Sequence, residues 1–236
     1  MAQDIQFHYF HGRGIGEPIR LLLAVGEIEF TDRRYSFAEY ATMDELKAKL
    51  PFGQVPALES DSVFIAQTDS LMRFAAKLAD LYPYDALRAA RSDMIVTHQA
   101  DIHAAIAKMS FDGVPGAPGT NMVPEEERNQ RIGMWFESTL PSLLERLENL
   151  AGTGFMVDST LCWADICVFN RLNQLLDIDE TLLARKFPKL RSVYEQVAAL
   201  PPVCRWVDEH ADDYPPGGAI PPGYYQWFAS SRNKTQ

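Results

Sequence analysis

Two places in the chain combine residue types with a spacing that could do chemistry. Gln67, Thr68, Asp69 and Ser70 stand at the head of a helical stretch. The free N–H groups and partial positive charge of a helix N-terminus suit a carboxylate, and the same four residues also read as plain helix caps that need no ligand. Tyr9 lies near the end of a short apolar segment, Ile5 to Phe10, just before Gly12, Gly14 and Gly16. Its phenol can donate a hydrogen bond to an anion, or its ring can simply pack beside Ile5 and Phe7.

Other groupings carry less. Gly12-x-Gly14-x-Gly16 lacks the dinucleotide-binding spacing and no P-loop lysine follows it, so these read as turn glycines. His8 with His11, and His98 with His103, fit no zinc-binding pattern, and no metal site is expected. The absence of Cys-x-x-Cys from the first third of the chain argues against disulfide exchange. Cys162, Cys167 and Cys204 lie in apolar helical surroundings and are expected to be buried and reduced.

The elements that must position these residues follow from periodicity and punctuation. Ile5 to Phe10 reads as a strand, and Pro18 opens a helix whose apolar face, Ile19, Leu22 and Leu23, runs to Gly26. Ile28 to Tyr35 reads as a second strand. Thr42 and Glu45 suggest a capping box for a short helix, Met43 to Leu50, stopped by Pro51. Phe52 to Leu58 reads as a turn into a strand, Asp61-Ser62 as a hairpin turn, Val63 to Ala66 as its return, and residues 67 to 81 as a helix. Beyond Tyr82-Pro83-Tyr84 alternation gives way to helical stripes. Helices are expected over Leu87 to Phe111, Glu125 to Leu150, Ala164 to Leu176 and Lys189 to Leu200, with a loop over Asp112 to Val123. The expected division is therefore residues 1–82, residues 86–214 and an irregular Pro- and Gly-rich tail, 215–236.

Thirty-two acidic against twenty-two basic side chains give a net charge of -10, which disfavours nucleic acid and anionic lipid as partners. The first residues resemble no signal peptide, and no apolar run approaches the roughly 20 residues that span a bilayer, so a cytoplasmic location without membrane attachment is expected.

Particular residues then resemble the cytosolic glutathione transferases. Tyr9-Phe10 with Gly12-Arg13-Gly14 and Glu17-Pro18-Ile19-Arg20 is similar to that family's first strand and helix. Leu50 to Leu58 resembles its glutathione-site loop, and Gln67-Thr68 its Gln-Ser pair. Trp163-Ala164-Asp165, and Phe187 to Leu190 with Pro202-Val203 and Trp206, resemble its helical domain. The likeness runs from about residue 5 to 210 and is closest to the tyrosine-type sigma class, which includes haematopoietic prostaglandin D synthases. It implies an α/β plus all-α fold: a thioredoxin-like βαβαββα domain that binds glutathione, followed by an all-helical domain, assembled as a homodimer. It also implies an enzyme of detoxification, conjugating glutathione to hydrophobic electrophiles or reducing peroxides with it. A non-catalytic binding or structural protein on the same fold, or a glutathione-dependent isomerase such as prostaglandin D synthase, are the alternatives.

The resemblance assigns roles residue by residue. Tyr9 would hydrogen-bond the glutathione sulfur. A free thiol with a pKa of about 8.5 is only about 3% thiolate at pH 7, and a fall of about two units raises that fraction roughly 25-fold while nucleophilicity drops about 8-fold. The net gain is only about threefold, so most acceleration must come from holding the reactants together. Arg13 would supply part of the positive charge that is missing beside the sulfur because Ile15 stands where related enzymes carry an arginine. The resemblance also implies a cis Val55-Pro56 bond, with the Val55 main chain pairing to the cysteinyl backbone. Gln67 and Thr68 would take the γ-glutamyl carboxylate, Lys47 and Gln54 the glycyl end, and Asp101 would reach the neighbouring subunit's glutathione amine. Ile15, Ile106, Met109 and Phe111 would line the electrophile site. Ile15 and Met43 replace an arginine and a tryptophan usual in related enzymes, which puts prostaglandin isomerisation in doubt. Asp165 would cap a buried helix with Cys162 where the family has Ser or Thr, a poorer cap.

Overall fold

Strand β1 (Ile5–Phe10) sets the frame, with Ile5, Phe7 and Tyr9 buried on one face at the period of two that a strand dictates. Strand β2 (Thr31–Tyr35) pairs with it in parallel, while β3 (Ala57–Ser60) lies antiparallel on its other side and β4 (Val63–Ala66) closes the hairpin. The order is β2-β1-β3-β4. The computed structural model describes residues 4–111, 124–176, 182–183 and 186–210, and within these it leaves undescribed the side chains of residues 100, 105–111, 125, 128, 129 and 132. The expected loop at Asp112 to Val123 and the tail at 215–236 lie outside the described residues.

Helix α1 (Glu17–Val25) carries Pro18 in its first turn as expected and ends by a main-chain device rather than at a left-handed glycine. Glu27 takes a φ of 52°, its N–H bonds the Ala24 carbonyl, and the Ile28 N–H reaches back 2.9 Å to the Leu23 carbonyl. That closure uses the donor which Ile28 would bring to a sheet, so β2 starts at Thr31 and not at Ile28.

Helix α2 (Phe37–Ala41), absent from the sequence reading, is nucleated by a full capping box: the Glu39 N–H bonds Ser36 Oγ at 3.1 Å, and the Ser36 N–H bonds the Glu39 carboxylate at 2.7 Å. The box expected at Thr42 and Glu45 does not form, because the Thr42 hydroxyl donates to the Glu39 carbonyl instead. Helix α3 (Asp44–Lys49) follows without a side-chain cap. Helix α4 (Thr68–Leu78) also lacks the side-chain cap expected of Gln67 to Ser70. It stops before Leu81 because that N–H folds back onto the Ala76 carbonyl.

The helical part comprises α5 (Ala86–Phe111), α6 (Glu125–Met134), α7 (Leu140–Leu150), α8 (Trp163–Leu176), α9 (Pro188–Ala198) and α10 (Pro201–Glu209). The single helix expected over 125–150 is interrupted by a π turn, Trp135–Thr139. Pro141 lies just beyond it and has no N–H to bond back into that turn, which accounts for the widened backbone there. Helix α8 is buried along nearly its whole length and packs on α5 and α9.

The N-terminus of α8 is held by Asp165, whose two carboxylate oxygens accept from the Met156 N–H at 2.6 Å and the Cys162 N–H at 2.8 Å. The carboxylate half of the capping box therefore stands even though cysteine occupies the N-cap. Cys162 and Cys167 are buried, and burial pushes both thiols up, so they stay protonated at neutral pH. Cys204 is exposed on α10, contrary to expectation, since Val203 and Trp206 take the inward face.

Candidate active site

Tyr9 leaves β1 under a turn built for it. An added Cβ at Gly14 would come within 2.5 Å of the Tyr9 hydroxyl, and one at Gly16 within 2.3 Å of its ring, so both glycines are there to let the backbone pass close to the phenol. The Ile15 N–H donates to the Tyr9 oxygen at 3.3 Å. Burial raises the pKa of the phenol above its ordinary value, opposed by that N–H and by the nearby Arg20. The group therefore stays protonated at neutral pH. Accepting from Ile15 leaves its own proton available to a further acceptor.

The turn is anchored from below by Arg20, which is fully buried. Its guanidinium donates to the Gly12 carbonyl at 2.8 Å and the Phe10 carbonyl at 3.2 Å, and it pairs with Asp32 at 3.0 Å and Glu17 at 3.3 Å. Glu17 in turn accepts from the Trp206 indole at 2.8 Å. From above, the Gln174 amide donates to the Gly14 carbonyl at 3.2 Å and accepts from Arg171 at 2.6 Å. The two halves of the chain thus grip the same five-residue turn.

A cavity of about 190 Å³ opens beside Gly14 and Ile15, between the head of α4, helix α5 and helix α8. Ile15, Met72 and Val96 form an apolar wall, and Gln99, His103, Asn170 and Arg171 a polar one. Tyr9 does not itself line it, being 9% exposed behind Gly14 and Ile15.

The other expected residues lie as follows. The Val55-Pro56 bond is cis, with Pro56 buried and Gln54 exposed at the mouth of the turn. Gln67 is exposed with a φ of 72°, and Thr68 opens α4 and faces the cavity. Lys47 bonds the Ala41 carbonyl at 2.6 Å and Asp44 at 3.3 Å. Arg13 is buried, not in the cavity wall. Asp101 is exposed on α5, on a different side of the helix from buried Ile102. The side chains of Ile106, Met109 and Phe111 lie outside the described residues.

Gln99, His103, Asn170 and Arg171 were missed from sequence. Gln99 and His103 stand four apart, so they share a face of α5, but nothing in their types tells a buried face from a solvated one. Among the described residues no cluster of three or more His, Cys, Asp or Glu could hold a metal ion, and no helix is long and apolar enough to cross a membrane.

A four-stranded mixed sheet with its helices, in which a cis-proline turn leads into β3, followed by a helical bundle, is the thioredoxin-like plus all-α architecture that the sequence led us to expect. Comparison with known proteins agrees. The pattern of the glutathione S-transferase N-terminal domain matches residues 5–77, and that of the C-terminal domain residues 118–210. Glutathione S-transferase A1 of Bos taurus is 30% identical over 92% of this chain and 93% of its own. Glutathione S-transferase A3 of Homo sapiens is 28% identical over 93% of this chain and 95% of its own. Glutathione S-transferase S1 of Drosophila melanogaster is 28% identical over 85% of this chain and 76% of its own. The structure of prostaglandin synthase D of Nilaparvata lugens superposes with a TM-score of 0.75 at 22% identity, over 87% of this chain and 98% of that one. The chain belongs to the glutathione S-transferase family; it is a glutathione transferase, with glutathione as its co-substrate.

Proposed function

We propose that Tyr9 donates its phenolic proton to the sulfur of bound glutathione and holds it as a thiolate, which then attacks a hydrophobic electrophile. The observation that carries this reading is the phenol itself: buried, kept protonated, and already accepting from Ile15, so that its one donor points to an unfilled need. A hydrogen bond to a charged acceptor contributes about 1.5 to 3 kcal/mol, enough to lower a thiol pKa by roughly one to two units.

In the same reading the tripeptide lies extended along the sheet unit, residues 1–82. Its cysteinyl backbone pairs with Val55 beside Pro56, and its γ-glutamyl carboxylate sits at Gln67 and Thr68, where the head of α4 offers free N–H groups. Lys47 and Gln54 take the glycyl carboxylate. The helical part, residues 86–214, presents the second substrate through the cavity at Ile15. The protein works in the cytoplasm as a homodimer, with Asp101 reaching the partner's glutathione; the exposed Phe52, Leu87 and Met94 supply apolar surface for such a contact.

Turnover of a chlorodinitrobenzene-type substrate by wild type and Tyr9→Phe, with retention on glutathione resin, tests the reading. The variant is expected to keep its fold and bind the resin while losing at least about tenfold in kcat/KM, the lower end of the hydrogen-bond range. Equal turnover would refute the role given to Tyr9.

A further inference from the structure

The polar wall of the cavity asks for an occupant of particular chemistry. Gln99 is 95% buried by residue, at 5% exposure, and neither its amide oxygen nor its nitrogen has a hydrogen-bond partner among the described residues. His103, one turn further along α5, has its Nδ1 buried and likewise without a partner. Both line the cavity that begins at Ile15, whose N–H touches the Tyr9 hydroxyl.

Packing alone gives no reason for this arrangement. An unsatisfied buried amide is destabilising, and leucine would fill nearly the same volume without that cost. Buried polar groups left unpaired in a protein's interior, facing a cavity, mark places where a ligand completes the pairing. Burial and the neighbouring Arg171 push the His103 pKa down to about 4, so its ring is neutral at pH 7 and carries one N–H. The amide of Gln99 adds two more donors. Neutral donors beside a guanidinium suit an oxygen that gains negative charge during a reaction.

We propose that Gln99 and His103 take the carbonyl oxygen of the second substrate, and that this makes the chain selective for conjugated carbonyl compounds over electrophiles that carry no such oxygen. This rests on the thiolate reading above. In the step it implies, the sulfur forms a bond to the carbon β to the carbonyl and the π pair of the alkene moves through to the carbonyl oxygen. The proton surrendered by the thiol then returns to the α carbon, so nothing is oxidised or reduced overall. The size also fits, since an apolar cavity of about 150 Å³ admits benzene and this one, at about 190 Å³, has room for a substituted ring. An alkyl halide bound in the same place would leave the amide and the imidazole unpaired, which is the kind of mismatch that discriminates strongly between substrates.

The test compares benzylideneacetone with benzyl chloride as the second substrate. The quantity read is the ratio of their kcat/KM values in wild type, Gln99→Leu and His103→Leu, with glutathione saturating. The ratio is expected to fall about tenfold or more in each variant, and the thermal midpoint of Gln99→Leu to stay level or rise, since an unsatisfied amide is removed. A ratio unchanged in both variants, with wild type active, overturns this inference and leaves the thiolate reading standing. A wild-type protein inactive on both substrates removes the two together. A Gln99→Leu protein that fails to fold would show that the amide is held by the protein itself, against the proposal, and His103→Leu would then give the independent reading of the ratio.

Discussion

A phenol serves a sulfur anion only if its proton is free and its ring is fixed, and at Tyr9 both conditions come from neighbours that have no side chain or offer only a backbone N–H. Gly14→Ala should therefore damage catalysis as much as a change at Tyr9 would. The new Cβ would lie 2.5 Å from the hydroxyl, and the φ of 43° at Gly14 adds strain for any L side chain. We expect at least a tenfold loss in kcat/KM with a stability loss of about 1 to 3 kcal/mol, read by steady-state kinetics and urea titration. Full activity in that variant would mean that the ring can move freely, against the geometry. At this scale the sequence was informative where a residue type has few uses: Tyr9 before a glycine turn and the Val55-Pro56 bond were legible. Gln99 and His103 were not, because whether a polar side chain on a helix faces water or a cavity depends on packing from α8 and α4, which one-dimensional spacing does not contain.

Elements are held by devices of two kinds, main-chain closures and buried charges. The main-chain closures were the harder to read. Glu27 and Asp80 adopt left-handed φ values of 52° and 56° at the ends of α1 and α4 without being glycine. The end of α1 was still legible from Gly26, which follows Val25, whereas α4 stops at Leu78, three residues before the Leu81 where apolar periodicity put it. Ser36 with Glu39 is an ordinary capping box that the sequence does contain; Thr42 with Glu45 offered the same spacing and competed with it.

The buried charges lead to two predictions at this scale. Arg20 joins β1, its turn, α1 and β2, and its loss leaves buried carboxylates short of a cation. Arg20→Ala should therefore lower stability by about 3 to 5 kcal/mol in chemical denaturation, and Arg20→Lys should recover only part, since lysine cannot span the Phe10 and Gly12 carbonyls and both acids. A loss under about 1 kcal/mol would contradict the anchoring role.

Asp165 is the second case. Burial pushes its carboxyl up to about 6, against the pull of the Met156 and Cys162 N–H groups. The unfolded carboxyl titrates near 3.9, so between about pH 4 and 6 the folded state holds a proton that the unfolded chain has released. The stability due to this titration is present at low pH and is lost as pH rises through about 6. Asp165→Ala should destabilise the fold without selective loss of turnover. Its deficit relative to wild type should be larger at pH 5 than at pH 7. Denaturation at the two pH values measures this, and a deficit that shrinks on acidification would reverse the sign argued here.

At the scale of the whole molecule, the sheet unit supplies the phenol and the helical part holds the turn and walls the cavity. Trp206 on Glu17 and Gln174 on the Gly14 carbonyl tie the two together at the reacting end. The order of the four strands and of the longer helices was readable in advance because it rests on periodicity; the polar character of the cavity arises only where the two parts meet. The proposed chemistry depends on the charge state of one sulfur. Spectroscopic titration of the thiolate in the stoichiometric glutathione complex tests it most directly. Wild type should ionise the bound thiol about one to two pH units below its ordinary value of about 8.5, and Tyr9→Phe should return the midpoint most of the way. The same midpoint in both proteins would contradict the central claim.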